Sequence, residues 1–195
     1  MATDIQRPRG RPRRFDPEQA VATAQRLFHA RGYDAVSVAD LVQALGINPP
    51  SFYAAFGSKS GLFARVLCRY GSTGAIPLDA SLRPDRPVAE ALAALLEAAA
   101  RCYAADPAAG CLVLEGTHCN DPEVREATRA VNVAAEDVIR NYIAARYPEE
   151  AEHLTDYICT TMTGLSAKAR LGHSLDRLLA TARLASIVPA QALRT

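Results

Sequence analysis

Candidates for bond-making chemistry are few in this 195-residue chain. Glu115, His118 and Cys119 sit close together and combine a carboxylate, an imidazole and a thiol, the types an acid–base or nucleophilic set uses. No Gly-rich phosphate loop or nucleophile motif accompanies them, so a small helical enzyme is the minor alternative. Cys111, His118 and Cys119 invite a metal, yet they lack the tight paired spacing of a zinc site. Neither a metal nor a cofactor is expected. Groups suited to recognition are more numerous. Residues 1–14 hold Arg7, Arg9, Arg11, Arg13 and Arg14, with prolines between them and almost nothing apolar, a composition that cannot fold alone. Further on, Asn48 and Ser51 carry groups able to hydrogen-bond base edges, and neighbouring Pro49 can meet a thymine methyl.

The elements that must position those groups are legible between Ser37 and Lys59. Ser37 is a helix N-cap candidate with Asp40 three residues on, and Val38, Leu41, Val42 and Leu45 follow at helical spacing. Gly46 stops that helix, since a left-handed residue costs glycine nothing. Asn48 caps a second helix with Pro49 in its first turn, and Phe52, Tyr53 and Phe56 precede the closing Gly57. Two short helices around a glycine-containing turn read as a helix-turn-helix, whose second helix enters the major groove of DNA. Upstream, Asp16-Pro17-Glu18-Gln19 opens a helix with Ala20, Val21, Ala24, Leu27 and Phe28 on one face, the platform for Leu41, Leu45, Phe52 and Phe56.

The string Leu45-Gly46-Ile47, Phe52-Tyr53, Phe56-Gly57-Ser58-Lys59 and Leu62-Phe63 resembles the DNA-binding domain of the TetR (tetracycline-repressor-like) family, tightly over about residues 15 to 65 and loosely beyond. The resemblance implies phosphate contacts by Tyr53 and Lys59, with Ser37 in the place of the usual threonine. Such contacts orient a helix on the backbone without reading sequence. This chain departs from the family at Pro50, where a small residue is usual, and at Ala55, where a histidine is common. Arg9-Gly10-Arg11-Pro12 also resembles the core of an AT-hook, which lays arginines along a narrow minor groove.

Charge agrees with this division. Residues 1–70 carry ten Lys and Arg against five Asp and Glu, while 71–195 carry twelve against sixteen. The basic half suits phosphates and the acidic half does not. Hydrophobic residues make up 49% and charged residues 22%, ordinary for a globular chain, and no apolar run approaches a membrane span. The basic N-terminus has no apolar run behind it, so it is not a signal peptide. Five cysteines without paired spacing fit reduced thiols in the cytoplasm.

After the reader, Ser58-Lys59 opens a helix through Leu62, Phe63, Val66, Leu67 and Tyr70, and Gly71 to Pro87 reads as a linker. Val88–Ala105 is helical with Leu92, Leu95, Leu96, Ala99, Cys102 and Tyr103 inward. Asp106-Pro107 restarts a helix carrying Cys111, Leu112, Leu114 and Glu115, and Asp121 caps another with Val124, Ala127, Val131, Ala134, Val138, Tyr142 and Ala145 on one face. Two more follow, Glu149 to Leu171 and Ser174 to about Ile187. The expectation is an all-α chain of about nine helices: a basic arm over 1–14, a helix-turn-helix DNA-binding domain over 15–70 and a ligand-binding and dimerisation domain over 71–195.

The last two helices carry Leu154, Ile158 and Leu165, then Leu175, Leu178 and Leu179. Periodicity alone allows an internal seam; the resemblance favours a two-fold four-helix interface, and a reader of two half-sites needs a homodimer. The family also implies a pocket for a small-molecule effector among the middle helices. Candidate lining residues are Phe63, Leu67, Tyr70, Leu95, Tyr103, Cys111, Leu114, His118 and Tyr142. Cys111, in Gly110-Cys111-Leu112, resembles a position that senses oxidants or electrophiles in some relatives. With no flanking Lys or Arg to lower its pKa, it reads here as a buried inert thiol, and redox control is the alternative. The expected partner is a double-stranded palindromic operator, bound by a repressor that the effector releases.

Overall fold

Side-chain oxygens cap six of the eleven α-helices among the described residues. The computed structural model describes residues 16–105 and 109–194; the arginine arm with Arg9 and Arg11, and the Asp106-Pro107 start, lie outside them. Asp16 Oδ1 accepts from the amides of Glu18 and Gln19 and opens α1 (Pro17–Arg31). Ser37 opens α2 (Val38–Leu45), Asn48 opens α3 (Pro49–Phe56) and Ser58 opens α4 (Lys59–Thr73). After short α5 (Leu78–Ser81) come α6 (Val88–Tyr103), α7 (Leu112–Gly116) and α8 (Pro122–Ala144), the last capped by Asp121. One turn of 3-10 helix (Pro148–Glu150) leads into α9 (Ala151–Arg170), followed by α10 (Leu175–Ala185), which Ser174 caps, and α11 (Ile187–Ala192). Each cap contributes about 0.5–2 kcal/mol by satisfying amides that the first turn leaves unpaired. Among the described residues there is no strand, as expected of an all-α chain, and no helix is long and apolar enough to cross a membrane.

Buried side chains form two clusters. In the first, α1 to α4 converge on Phe28, Leu41, Phe52, Phe56, Leu62 and Phe63. Phe63 lies edge-on to Phe28 and Tyr33, with ring centroids 5.1 Å apart in both pairs. Leu112 and Val113 of α7, Cys119, and Val124 of α8 belong to the same cluster, so the C-terminal half reaches into the helix-turn-helix core. The second cluster joins α6, α9 and α10 with Ile139 and Ile143 of α8.

Four features depart from the sequence reading. Cys111, expected on a helix restarted at Asp106, has an extended backbone just before α7. The stretch read as a linker contains the last turn of α4, which runs through Gly71 to Thr73, and then α5. The buried face of α8 is Val124, Thr128, Ile139 and Ile143, whereas Val131 and Val138 are each 45% exposed. Leu154, Ile158, Leu165, Leu178 and Leu179 are buried in this chain's own second cluster, which leaves Leu175 as the open member of the proposed interface set. Regular apolar spacing marks the side of a helix that its own core covers first, and Leu165 and Leu178 of this set also line an outer groove between α9 and α10.

Candidate functional site

The helix-turn-helix is built from complementary local choices. Ser37 Oγ accepts from the Asp40 amide while Asp40 Oδ2 accepts from the Ser37 amide and hydroxyl, a complete capping box. The Ser37 bonds hold the pKa of the Asp40 carboxyl down to about 2. Gly46 takes a left-handed conformation (φ 65°, ψ 33°) that turns the chain between α2 and α3, a geometry glycine adopts without strain. Asn48 Oδ1 then accepts from the Ser51 amide at 2.9 Å. Phe52 and Phe56 anchor α3 in the core, which leaves Asn48, Pro49, Ser51 and Tyr53 exposed on its outer side.

Two side chains singled out as phosphate contacts are engaged within the chain. The Ser37 hydroxyl proton goes to Asp40 at 2.6 Å. Lys59 is half-buried, with Nζ 3.9 Å from the centre of the Tyr33 ring, and burial lowers its pKa against the opposing pull of Asp34 and Asp121. Tyr33 in turn donates to Asp121 Oδ2 at 2.7 Å, and Asp34 accepts from the Asn120 amide. The start of α8 is thereby tied to the reader. Tyr53, by contrast, is 52% exposed.

Beside this unit lies a cavity of about 140 Å³ bounded by α4 to α9. Tyr70, Tyr103, Cys111 and Leu114 line it, four of the nine residues proposed for a pocket. The other five lie elsewhere. Phe63 and Leu67 pack in the first cluster, Leu95 is fully buried in the second, and His118 is exposed after α7. The Tyr142 hydroxyl reaches the carbonyls of Arg83 and Arg86 at 2.8 and 3.2 Å and pins the turn before α6. Sequence reasoning missed Asn132, Glu136 and Met162, which also line the wall. The signal was a polar series on α8 at four-residue spacing, Thr128, Asn132 and Glu136, on a helix scored for its apolar residues.

Burial raises the pKa of the Tyr70 and Tyr103 hydroxyls on this wall and pushes the Cys159 thiol up to about 12, so all three are neutral at physiological pH. The Tyr70 hydroxyl points at Cys111 Sγ from 3.9 Å. Glu115, His118 and Cys119 do not converge into an acid–base set. Glu115 pairs with Arg170 at 2.8 Å, His118 faces outward, and the Cys119 thiol donates to the Asp121 carbonyl at 3.4 Å.

Cavity and reader meet at α7. Val113 and Leu114 face the cavity, while Leu112 and Val113 pack in the helix-turn-helix core. The segment before α7 is fastened on both sides. His29 Nε2 of α1 lies 3.0 Å from the Gly110 carbonyl, and the Cys111 amide donates to Ser166 of α9 at 2.9 Å. Arg170 donates to the His29 carbonyl at 2.9 Å while pairing with Glu115. Gly110 has φ 86°, and a Cβ there would stand 2.9 Å from Arg170 Cγ, so glycine is required for the close approach.

On the far side, α9 and α10 leave a groove lined by Tyr157, Thr161, Gly164, Lys168, Thr181 and Leu184, with the buried Leu165 and Leu178 beneath. Leu184 is 69% exposed and Leu171, just past α9, 73%.

Residues 20–66 match the model of the family described as "Bacterial regulatory proteins, tetR family". The chain is 56% identical over 177 residues to the HTH-type transcriptional repressor BdcR of Escherichia coli (strain K12), covering 90% of each protein. It is 32% identical to the HTH-type transcriptional repressor ComR of the same strain, covering 92% of this chain and 93% of that one. Among solved structures it resembles a cysteine mutant of the TetR family transcriptional regulator CifR, complexed with 26-base-pair double-strand operator DNA. The TM-score is 0.81 at 33% identity, with 90% of this chain and 98% of that chain covered. With helix-turn-helix, core and full-length likeness in agreement, this chain belongs to the tetR family of bacterial regulatory proteins.

Proposed function

We infer that the chain is a DNA-binding transcriptional repressor that sits as a homodimer on a palindromic operator and leaves it when a small molecule fills the cavity. The observation that carries this reading is α3: Phe52 and Phe56 lock it to the core while Asn48, Pro49, Ser51 and Tyr53 stand free on its outer side. A helix so mounted fits a major groove, where the residues of its first turn meet base edges. Because the Asn48 side-chain oxygen caps the helix, its amide nitrogen is the part left for a base. Tyr53 acts on phosphate, and Lys59 joins it on leaving the Tyr33 ring. Arg9 and Arg11 supply the arm for an adjacent minor groove.

One α3 spans too few base pairs for a specific site; a two-fold pair reads half-sites about 34–36 Å apart. The outer groove of α9 and α10, rather than the inward leucine seam, supports pairing with a second copy. Release works by population shift. An effector that needs the cavity wider displaces α7, and α7 carries that displacement into the core under α1 and α4. A coupling of about 1–3 kcal/mol suffices to weaken DNA binding roughly 5- to 150-fold.

The test is footprinting of the purified chain on the DNA flanking its own gene, with Tyr53→Phe beside it. Loss of a hydroxyl–phosphate bond is expected to cost about 1.5 kcal/mol or more, roughly tenfold in affinity, with dimerisation intact. No protected palindrome, or equal affinity of the variant at physiological salt, would sink the reading.

A further inference from the structure

We propose that the cavity takes a small organic monocation, an amine with an aromatic or branched hydrocarbon body of about ring size, and that Glu136 receives its ammonium group. This rests on the effector reading of the cavity and adds the chemical class.

Size limits the body. A space of about 140 Å³ compares with the cavity of about 150 Å³ that admits benzene. Nucleotides and extended lipids are too large. Ile76, Leu78, Val113, Leu114, Ile139 and Met162 make the wall apolar, and the rings of Tyr70 and Tyr103 suit an aromatic group or a cation.

Charge decides the rest. Glu136 is the single charged side chain on the wall among the described residues, with no lysine, arginine or histidine beside it there. Its Oε1 accepts from Asn132 Nδ2 at 2.8 Å, which fixes the carboxylate to the preceding turn of α8. Among the described residues, no hydrogen bond or ion pair reaches Oε2. Arg140, one turn further along the same helix, is committed to Asp137 and to Glu152, the latter at 3.1 Å. An anionic ligand would set a second negative charge against this carboxylate, and Arg140, whose charge also reaches Glu136, is already shared between Asp137 and Glu152. A neutral ligand with a hydroxyl would return a hydrogen bond to the carboxylate but leave its charge uncompensated, and one without a donor would only strip its water. An ammonium group satisfies the free oxygen and leaves the hydrocarbon to the wall. The Tyr103 hydroxyl, which takes no partner among the described residues, stands as a further acceptor.

Three probes of one shape and different charge separate these cases: benzylamine, benzyl alcohol and benzoate, titrated calorimetrically into the full-length protein at neutral pH. Benzylamine is expected to bind roughly tenfold or more tightly than the other two, as a charge-assisted bond should give. Glu136→Gln keeps the shape and removes the charge, so it is expected to erase most of that preference. Alcohol or benzoate binding as well as the amine, or an unchanged preference in Glu136→Gln, overturns the charge assignment while the effector cavity stands. Failure of all three probes overturns the proposal too. Ala135→Trp, which fills the cavity from α8, is expected to abolish amine binding. If the amine binds that variant as before, the site lies elsewhere, and the effector reading of the cavity falls with the proposal.

Discussion

His29 joins the reader to the rest of the chain through an imidazole whose proton affinity the fold alters. Its Nε2 faces the Gly110 carbonyl, so the neutral ring carries its proton there and donates. Burial lowers its pKa below the ordinary 6.5, with Arg170 adding to the effect and the Gly110 bond and Glu115 opposing it. In the window between the folded pKa and 6.5, the unfolded chain takes up a proton that the folded chain refuses. The stability from this group is therefore complete above about 6.5 and declines as the pH falls below it. Moving from about pH 7.5 to about pH 5.5 is expected to lower the wild-type Tm more than that of His29→Gln, which can donate but does not titrate. Equal declines in the two proteins would remove His29 as a pH-dependent link.

Among the helices, α7 is the short piece on which the proposed communication depends, and its closeness to α8 is set by Gly116. A Cβ at that position would overlap Thr128 Cγ2. Thr128 is fully buried and directs its hydroxyl to the carbonyls of Val124 and Arg125, so it has little room to yield. Gly116→Ala is expected to destabilise the fold by about 1–3 kcal/mol through overpacking. Urea melts measure this directly, and a change within about 0.5 kcal/mol would show that the two helices separate easily. On α8 itself the apolar pattern misled. The side facing the cavity mixes Val131 and Ile139 with Asn132 and Glu136, while Val133 and Val138 are exposed. A helix that serves a cavity places polar groups where a purely structural helix would place leucine.

Assembly of two chains is the property on which operator reading depends, and Gly164 offers a clean way to test it. Nothing lies within 4 Å of a Cβ built there, and the position opens onto the α9–α10 groove. Arginine suits a helix interior better than glycine by up to about 1 kcal/mol, so Gly164→Arg is expected to leave the subunit folded. A long charged side chain in the groove is expected to block pairing, seen as a monomer in sedimentation, and to abolish operator protection. A dimer of wild-type affinity would place the interface on another face. The inward residues cannot serve this test, since truncating Leu154, Ile158 or Leu165 would damage the chain's own core.

Local chemistry was enough for six helix starts and for the reader. Asp16, Ser37, Asn48, Ser58, Asp121 and Ser174 cap where their types and neighbours say, because capping is settled within about four residues of chain. The spacing of Phe52 and Phe56 likewise leaves a single outer side for α3. Contacts between distant segments were not legible in this way. Phe63 and Leu95 look in sequence much like Tyr70 and Tyr103, and all four belong to the cores, yet the second pair also lines a cavity and the first does not. Which side of a helix meets a void, a core or a second chain depends on how its neighbours pack, and periodicity records only that a side is apolar.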